Sequence, residues 1–384
     1  MGEWNEVILE DVVSVLGDGL HGTPNYDDNG DYYFINGNNL SDGKIVIKDS
    51  TKRANKIEYE KYKKDLNDRT ILVSINGTIG NVALYNNEKC ILGKSACYFN
   101  VVQEVDKHFI KYVVTNKNFQ EYIHNFANGT TIKNVSLNTM REYPFLLPPL
   151  PEQKSIASIL SSLDDKIDLL HRQNKTLEAL AETLFRQWFV EPVRRGGEAD
   201  ESWEVGKLGD VIELNYGKGL KEEIRTGIGY QVVGSNGVVG FHNDFLVEGP
   251  GIVIGRKGTL GKVIYLYENF YPIDTTYYVK TKVNSRELLF EYFLLKLLNF
   301  EDMNSDSAVP GLNREIALST ELSIPPENKI NSFNRIASTL FQKIKFNLNQ
   351  ILTLTQLRDT LLPKLMSGEV RVKMSESEFT GLKE

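Results

Sequence analysis

Three short motifs contain residue types that could bind a phosphate or a metal ion. Gly93-Lys94-Ser95 is like the end of a phosphate-binding loop, but Glu88 stands where that loop needs its first glycine, and its charge would repel a phosphate. The stretch from Gly255 to Lys262 has the wrong spacing and no hydroxyl residue after the lysine. Glu327 and Lys329 could belong to a nuclease metal site, but no Pro-Asp pair precedes them. None of these motifs supports a reaction.

The other reactive residue types also lack partners. A DNA amino-methyltransferase needs an acid or asparagine before Pro-Pro and an aromatic residue after it, whereas this chain has Leu147-Pro148-Pro149-Leu150 and Ile324-Pro325-Pro326-Glu327. Cys90 and Cys97 lie in a β-like stretch and are expected to be reduced and buried. No ligand or triad spacing connects the histidines, which are His21, His108, His124, His171 and His242. We therefore predict no catalytic residue, no metal and no cofactor in this chain.

Length, composition and net charge limit the kinds of protein that this chain could be. The chain has 384 residues, more than one hydrophobic core usually holds, and its 41% hydrophobic and 25% charged residues are ordinary for a globular protein. A formal net charge of −7 argues against nucleic-acid binding through bulk charge, so such binding would need local basic patches or partner proteins. No apolar run could span a bilayer and the N-terminus does not resemble a signal peptide, which predicts a cytoplasmic protein with no membrane contact.

One stretch shows the spacing of a coiled-coil seam. Pro151 and Glu152 suit the first turn of a helix, and Pro192 is expected to end it. The helix would have about 38 residues and a length of roughly 57 Å. Its seam residues alternate in steps of four and three, and only one of them is polar. They are Ile156, Leu160, Leu163, Ile167, Leu170, Asn174, Leu177, Ala181, Leu184 and Trp188.

A second copy of this helix follows 177 positions later, again after a Pro-Pro pair. Two helices with unpaired apolar seams are expected to pack against each other. In an antiparallel arrangement Asn174 can hydrogen-bond Asn347, which brings Leu170 to Ile351 and fixes the register near a pseudo-twofold axis. The alternative is that both asparagines are merely tolerated near solvent. The second seam is Phe333, Ala337, Leu340, Ile344, Asn347, Ile351, Leu354, Arg358, Leu361 and Leu365.

A β-rich pattern precedes each helix. In the first copy, Thr70 to Ile75, Asn81 to Tyr85 and Ser95 to Val102 predict strands, and Phe109 to Phe126 predicts a helix. Gly77 to Val82 reappears as Gly258 to Val263. The fold class is therefore α+β, with two β-rich domains that are each followed by a long helix. The predicted segments are a first domain over 1–150, a central helix over 151–190, a linker over 191–202, a second domain over 203–326, a C-terminal helix over 327–370 and a tail over 371–384.

This arrangement resembles the DNA specificity subunit of type I restriction-modification systems, over nearly the whole chain. The most specific segments are Leu147 to Ala157, Leu163 to Ile167, Leu184 to Val190 and Leu361 to Val370. His21-Gly22-Thr23-Pro24 and Gly129-Thr130-Thr131-Ile132-Lys133-Asn134 are similar to motifs of the family's recognition domains. The second half departs from the pattern, with Glu327-Asn328-Lys329 in place of Glu-Gln and Val309 to Asn313 in place of Gly-Thr-Thr-Ile-Lys-Asn.

The resemblance implies a non-catalytic subunit that recognises double-stranded DNA. Each β-rich target recognition domain would read one half of a bipartite, asymmetric site, and the helices would set the spacing between the halves. The helices would also dock two modification subunits, which carry S-adenosylmethionine and methylate adenine. Motor-nuclease restriction subunits, which use ATP with Mg²⁺, would join to cleave unmodified DNA.

Polar loop residues next to glycines are the candidates for DNA contacts, because amide and guanidinium groups read base edges. For each of them a plain role in a turn is the alternative. In the first domain they are His21, Thr23, Asn36, Asn38, Asn39, Lys94, Thr130, Lys133 and Asn134. In the second domain they are Lys218, Lys221, Ser235, Asn236, Arg256, Lys257, Asn313 and Arg314. A group that could bind phosphates, or form a solvated face, is Lys52, Arg53, Lys56, Lys61, Lys63 and Lys64.

Two alternative functions remain at this point. The same architecture could serve a methylation-only complex or another phage-defence complex. A protein of a different class could have the same two apolar seams. It would be a coiled-coil adaptor that binds proteins and no nucleic acid. Selection of bound sequences from random duplexes separates these alternatives, since only a specificity subunit selects a split motif.

Overall fold

The computed structural model describes residues 4–129, 132–191, 203–283, 287–300 and 311–372. The chain forms two compact units: unit 1 comprises residues 1–168 and 352–384, and unit 2 comprises residues 169–351. Each unit contains one β-rich domain and one part of each long helix. The predicted segments gave each helix a segment of its own, whereas the compact units divide both helices between them. None of the helices in these described ranges is long and apolar enough to cross a membrane.

The first domain is built on a four-stranded antiparallel sheet in the order β2-β10-β7-β8. A second sheet has the order β6-β3-β9, in which β3 and β9 are parallel, and β1 pairs with β11 at the end of the domain. Its strands are β1 (Asn5–Ile8), β2 (Val13–Asp18), β3 (Tyr32–Ile35), β4 (Leu40–Ser41), β5 (Lys44–Ile45), β6 (Arg53–Ala54), β7 (Thr70–Ser74), β8 (Val82–Leu84), β9 (Cys90–Leu92), β10 (Ala96–Val101) and β11 (Pro144–Leu147). Its helices are α1 (Lys56–Tyr62), α2 (Lys107–Thr115), α3 (Lys117–Phe126) and α4 (Leu137–Arg141), with 3-10 turns at Leu9–Val12 and Gly37–Asn39.

The strands lie where alternation and apolar runs predict them, and Cys90 and Cys97 are buried free thiols, as predicted. The prediction of one helix from Phe109 to Phe126 is wrong. Asn116 has an extended backbone (ψ 147°) and separates α2 from α3. Because the chain turns there, Phe109 and Phe119 both reach the core of the domain.

The second domain repeats this topology. The order β13-β19-β16-β17 matches β2-β10-β7-β8, the parallel pair β14 and β18 matches β3 and β9, and β12 with β20 matches β1 with β11. Its strands are β12 (Glu204–Lys207), β13 (Ile212–Tyr216), β14 (Tyr230–Gly234), β15 (Gly237–His242), β16 (Gly251–Gly255), β17 (Val263–Leu266), β18 (Phe270–Pro272), β19 (Thr276–Thr281) and β20 (Glu321–Ile324). The long helix α5 (Leu150–Phe185) continues as a π-helical turn at Arg186–Val190, and the later helices are α6 (Leu208–Val211), α7 (Leu289–Leu297), α8 (Arg314–Leu318) and α9 (Glu327–Met366), with a 3-10 turn at Glu222–Ile224.

The two long helices are antiparallel within each unit. In unit 2, Phe185 contacts Phe333 while Asn174, three turns earlier, contacts Asn347, later on the partner helix. The amide of Asn347 donates to the side-chain oxygen of Asn174 at 2.8 Å, which is the hydrogen bond that the seam predicts. Asn347 is 0% exposed, so the pair is part of the helix interface.

In unit 1 the helices are held together by an ionic group. Arg358, the charged member of the second seam, binds the carboxylate of Asp164 at 3.0 Å. Lys111 of α2 contacts the same carboxylate at 2.6 Å and the hydroxyl of Tyr112 donates to it at 2.7 Å. Burial by itself raises the pKa of Asp164, but the charge of Lys111 and the hydrogen bonds lower it by more, so the pKa lies below its usual value.

The start of each long helix is attached to its domain through a tryptophan. Glu152 accepts hydrogen bonds from Arg371 at 2.7 Å and from the indole of Trp4 at 3.1 Å. In the second copy Lys329 takes the place of Glu152 and lies 5.2 Å from the ring of Trp203. The departure from the Glu-Gln pattern therefore replaces a hydrogen-bonded carboxylate with a cation–π contact.

Candidate nucleic-acid interface

One loop has the same place in both domains. It follows the buried strand β7 in the first domain and β16 in the second, and it turns at Gly77 (φ +74°) and Gly258 (φ +80°), where the left-handed backbone favours glycine. The strand registers pair Cys97 with Val73 in one sheet and Tyr277 with Ile254 in the other. Asn76 follows Val73 by three positions, and Lys257 follows Ile254 by three positions. Asn76 therefore corresponds to Lys257.

A concave groove of about 540 Å³ lies beside this loop in the first domain. The parallel strands β3 and β9 end at the same edge of the sheet. Asn36 directly follows β3 and Lys94 lies two residues after β9, so both lie at this edge. We call this the amide groove. It is lined by Leu20, Gly22, Thr23, Tyr26, Phe34, Asn36, Asn38, Asn76, Gly77, Thr78, Lys94 and Ser95.

Hydrogen bonds hold the amides of this groove in place. The side-chain oxygen of Asn36 accepts from the hydroxyl of Ser95 at 3.0 Å, and that hydroxyl accepts from the backbone of Gly37 at 2.8 Å. The Asn76 amide donates to the side chain of Asn134 at 3.0 Å. Side chains that are fixed in this way are suited to reading a base edge, because little conformational freedom is lost on binding.

The second domain has a groove of about 370 Å³ beside the matching loop. One of its lining residues is the half-buried Arg256, whose guanidinium carbon lies 5.1 Å from the ring centre of Tyr216 and 5.7 Å from that of Tyr277. We call this the arginine groove. It is lined by Tyr216, Arg256, Lys257, Tyr277, Gly311, Leu312, Asn313, Arg314 and Glu315.

The charges of the arginine groove differ in how they are neutralised. Arg314 binds Glu315 at 3.0 Å, and this hydrogen bond raises the pKa of Arg314. Burial raises the pKa of Tyr277 to about 12, and its hydroxyl donates to the backbone oxygen of Leu312 at 3.1 Å, so it remains protonated at neutral pH. Among the described residues no ion pair includes Arg256, and its buried Nε has no hydrogen-bond partner.

The family is evident from comparison with known proteins. The family model for the type I restriction modification DNA specificity domain matches residues 1–179 and 200–356. This chain belongs to that family. The type I restriction enzyme MjaIX specificity subunit of Methanocaldococcus jannaschii is 26% identical over 79% of this chain and 78% of its own length. The crystal structure of a type I S subunit from M. genitalium is similar over 97% of both chains, with 25% identity and a TM-score of 0.61.

Family membership makes the chain a non-catalytic DNA-recognition subunit of a type I restriction-modification system, in agreement with the prediction from the sequence. Among the residues that the structure describes, no group of three or more histidine, cysteine, aspartate or glutamate side chains could hold a metal ion.

The grooves bring together about half of the predicted contact residues. The amide groove contains Thr23, Asn36, Asn38 and Lys94, and the arginine groove contains Arg256, Lys257, Asn313 and Arg314. His21, next to Gly22 of the amide groove, is exposed and lies 2.6 Å from Asp18. Thr130 lies outside the described residues. The other candidates do not line either groove; they are Asn39, Lys133, Asn134, Lys218, Lys221, Ser235 and Asn236.

Three of the predicted contact residues have structural roles. Asn39 is 4% exposed, and its amide donates to the backbone of Val46 and to Thr51. Asn134 is bound to Asn76 and positions it. The side-chain oxygen of Asn313 caps α8 by accepting from the backbone of Glu315 and Ile316. Asn313 therefore corresponds to Ser136, which caps α4, rather than to Asn134.

The sequence prediction missed Asn76, Tyr216 and Tyr277. Asn76 precedes the repeated Gly-Thr turn directly, at the position that Lys257 occupies in the second copy, so the internal repeat contains the signal for it. Tyr216 ends β13 and is paired with Tyr277 across the sheet. Nothing in the local sequence separates these two tyrosines from core residues.

The predicted basic group of the first domain lies on and around α1. Lys52, Arg53, Lys56, Lys61 and Lys63 are exposed, and Lys64 is half-buried. Lys63 binds Glu60 at 2.6 Å, and Arg53 lies over the ring of Tyr33 at 5.0 Å. The exposed members remain candidates for phosphate contacts.

Proposed function

We propose that each domain of this specificity subunit reads one half of a bipartite site in double-stranded DNA, and that the two halves differ in sequence. The observation that carries the proposal is the pair of grooves, which lie beside the same loop of the same topology but have different linings. Two identical grooves would favour a symmetric site. Asn36 and Asn76 in one groove and Arg256 in the other favour different bases, because amides suit adenine and guanidinium groups suit guanine.

The long helices set the spacing between the two halves. Both α5 and α9 extend through both units, so each is one continuous element between the domains. An α-helix rises 1.5 Å per residue, and a heptad adds about 10 Å, near the rise of three base pairs. Spacing set by a helix therefore changes in predictable steps.

The helices also bind two methyltransferase subunits. Supporting this, several large apolar residues on the helices are exposed, including Phe346 (55%) and Leu352 (59%). Exposed apolar residues on a helix are typical of surfaces that a partner covers. In unit 1 they are Ile159, Leu352 and Leu357, and in unit 2 they are Leu169, Leu180, Ile336, Phe346 and Leu348. The methyltransferase subunits would hold S-adenosylmethionine, and restriction subunits with ATP and Mg²⁺ would complete the enzyme in the cytoplasm, where its DNA is.

Selection from random duplexes tests the reading of two half-sites. The complex of this chain with its methyltransferase subunits is incubated with random DNA at fixed salt, and bound molecules are sequenced. The proposal predicts two short conserved blocks of different sequence, separated by a gap of constant length. One continuous block, or a symmetric pair, would contradict it. Addition of restriction subunits and ATP then shows whether the complex cleaves or only methylates.

A heptad insertion tests the role of the helices. Seven residues are inserted into α5 between Asp168 and Leu169 and seven into α9 between Ile351 and Leu352, which preserves the seam in both helices. The gap between the two selected blocks should grow by about three base pairs. The matched control has seven residues inserted in the predicted linker, 191–202, and should select the original gap. A gap that does not change in the helix variant would show that other elements set the spacing.

A further inference from the structure

We propose that Arg256 reads a guanine in the half-site of the second domain, and that Tyr216 and Tyr277 position its guanidinium for this contact. This inference rests on the proposed function of the arginine groove. It assigns one base to one residue of this chain. Membership of the family assigns no base to any residue.

The backbone of Arg256 is fixed on both sides. Its N–H donates to the backbone oxygen of Thr275 at 2.9 Å, and its own oxygen accepts from Leu312 at 3.0 Å. The residue therefore belongs to the framework of the domain and not to a free loop. The corresponding residue of the first domain is Ile75, which is buried and apolar, so the fold does not require an arginine here.

The side chain is held by aromatic rings rather than by a carboxylate. The rings of Tyr216 and Tyr277 have centres 5.0 Å apart, and the guanidinium lies within 6 Å of both. At the corresponding positions the first domain has Asp18 and Cys97, which could not hold a cation in this way. Contacts with rings use no N–H donor of the guanidinium, and those donors are what form paired hydrogen bonds to the O6 and N7 atoms of guanine.

Other cations of this groove are better suited to phosphates. Lys257 is exposed and ends in a single ammonium group, which binds phosphate as a point charge. Arg314 also lies over the ring of Tyr216, at 5.6 Å, but it is already paired with Glu315. Arg256 lines the groove, is half-buried and has no ion pair among the described residues. An arginine in such a place contributes to discrimination between bases more than to general affinity.

The first experiment compares variants of Arg256 in the methyltransferase complex. Arg256→Lys keeps the positive charge but loses the paired donors, so it should select sites in which one guanine of the second block is no longer preferred. Affinity for the original site should fall about 5- to 150-fold, the range expected for one good paired contact. Lys257→Ala is the control, and it should weaken binding to all sequences equally. If Arg256→Lys still selects the same guanine, the proposal is wrong.

The second experiment removes one acceptor atom from the DNA. The preferred guanine is replaced by 7-deazaguanine, which lacks the N7 acceptor but still pairs with cytosine. The wild-type complex should bind this duplex more weakly than the natural one, whereas Arg256→Ala should bind both equally. Equal loss in both proteins would show that another residue contacts N7.

The third experiment tests the positioning role. Tyr216→Leu removes the ring and should reduce the preference for guanine, while Tyr216→Phe keeps the ring and should restore it. A result in which both variants retain the preference would rule out the role of this ring. A wild-type complex that selects no split motif would contradict the proposed function itself, whereas a split motif without an Arg256-dependent guanine would contradict only this inference.

Discussion

The two units of this specificity subunit have the same sheet topology but differ in two places. These are the lining of the groove and the contacts that join the long helices to the domain. In unit 1 the groove is lined by asparagines, and the long helices are joined to the domain by the charges of Lys111, Asp164 and Arg358. In unit 2 the groove contains an arginine held by two tyrosines, and the joint combines a large aromatic cluster with ion pairs from Lys296 to Glu178 and Glu182. The shared topology places the loops, and the side chains on them are free to vary. We infer that base preference can change in one half without altering the framework of the other.

The aromatic joint of unit 2 surrounds Phe293 of α7. Its ring is 1% exposed and contacts Phe185 of α5 together with Phe333 and Phe341 of α9, with ring centres 5.9 to 6.1 Å away. The contacts between these rings are uncharged, although Lys296 of α7 forms an ion pair with Glu178 of α5 beside them. The contribution of the rings themselves should therefore depend little on pH and salt, in contrast with that of the ionic group in unit 1.

The largest expected effect is that of Phe293→Ala. Removing a buried ring lowers the free energy of unfolding by about 3 to 5 kcal/mol. Because the cavity lies in unit 2, hydrogen exchange of β16 and β19 should accelerate far more than that of β7 and β10 in unit 1. Phe245→Ala removes a ring from the same unit that is 42% exposed, and it should change exchange only slightly. Equal acceleration in both units would mean that they unfold together.

Asp164→Asn tests the ionic joint. The variant leaves Lys111 without its anionic partner and Arg358 with Asp359 alone, which should lower the stability of unit 1 by about 2 kcal/mol at pH 7. The pKa of Asp164 is lower in the folded chain than its ordinary value, so the carboxylate contributes stability above about pH 4 and loses it as the pH falls further.

The difference between wild type and Asp164→Asn should therefore shrink as the pH is lowered from 7 to 3. The measurement is hydrogen exchange of β7 and β10 over this range, with Phe293→Ala as the comparison whose effect on unit 2 stays constant. A difference that grows at low pH would show that the carboxylate is protonated in the folded chain at neutral pH.

The helix interface of unit 2 contains a neutral counterpart of the ion pair. The hydrogen bond between Asn174 and Asn347 leaves the amide nitrogen of Asn174 and the amide oxygen of Asn347 without partners among the described residues. Asn174→Leu would leave the buried Asn347 with no partner here, which should cost about 1 to 2 kcal/mol. Replacing both asparagines with leucine should restore or exceed the wild-type stability.

The thermal midpoints of the two single variants and the double variant check this expectation. If the double variant is at least as stable as the wild type, the amide pair acts on the register of the helices and not on their stability. The gap between the two blocks of the selected DNA should then vary in length. A double variant that is less stable than either single variant would mean that the amide pair stabilises the helices.

The elements that repeat along the chain could be predicted from the sequence. The seam period is local, so it gave both long helices, and the positions of Asn174 and Asn347 in the two seams gave the antiparallel register within unit 2. The strands around Thr70 and Ala96 followed from apolar runs between turns. The family followed from the motifs on these elements.

Side-chain surroundings could not be predicted in the same way. Asn39 has the composition of a loop contact, yet its partners Val46 and Thr51 bury it. The pairing of Tyr216 with Tyr277 depends on strand register between residues that lie far apart in the sequence. Lys329 departs from the family pattern, and its contact with the ring of Trp203 cannot be read from the sequence. In each case the decisive contact is non-local.

The most direct test of the account is the selected DNA motif of three complexes: wild type, Asn76→Ala in the amide groove and Arg256→Ala in the arginine groove. The account predicts that Asn76→Ala changes base preference only in the block read by the first domain, and that Arg256→Ala changes it only in the other block. If either variant alters both blocks, or if neither block depends on these residues, the two grooves do not read the two halves of the site.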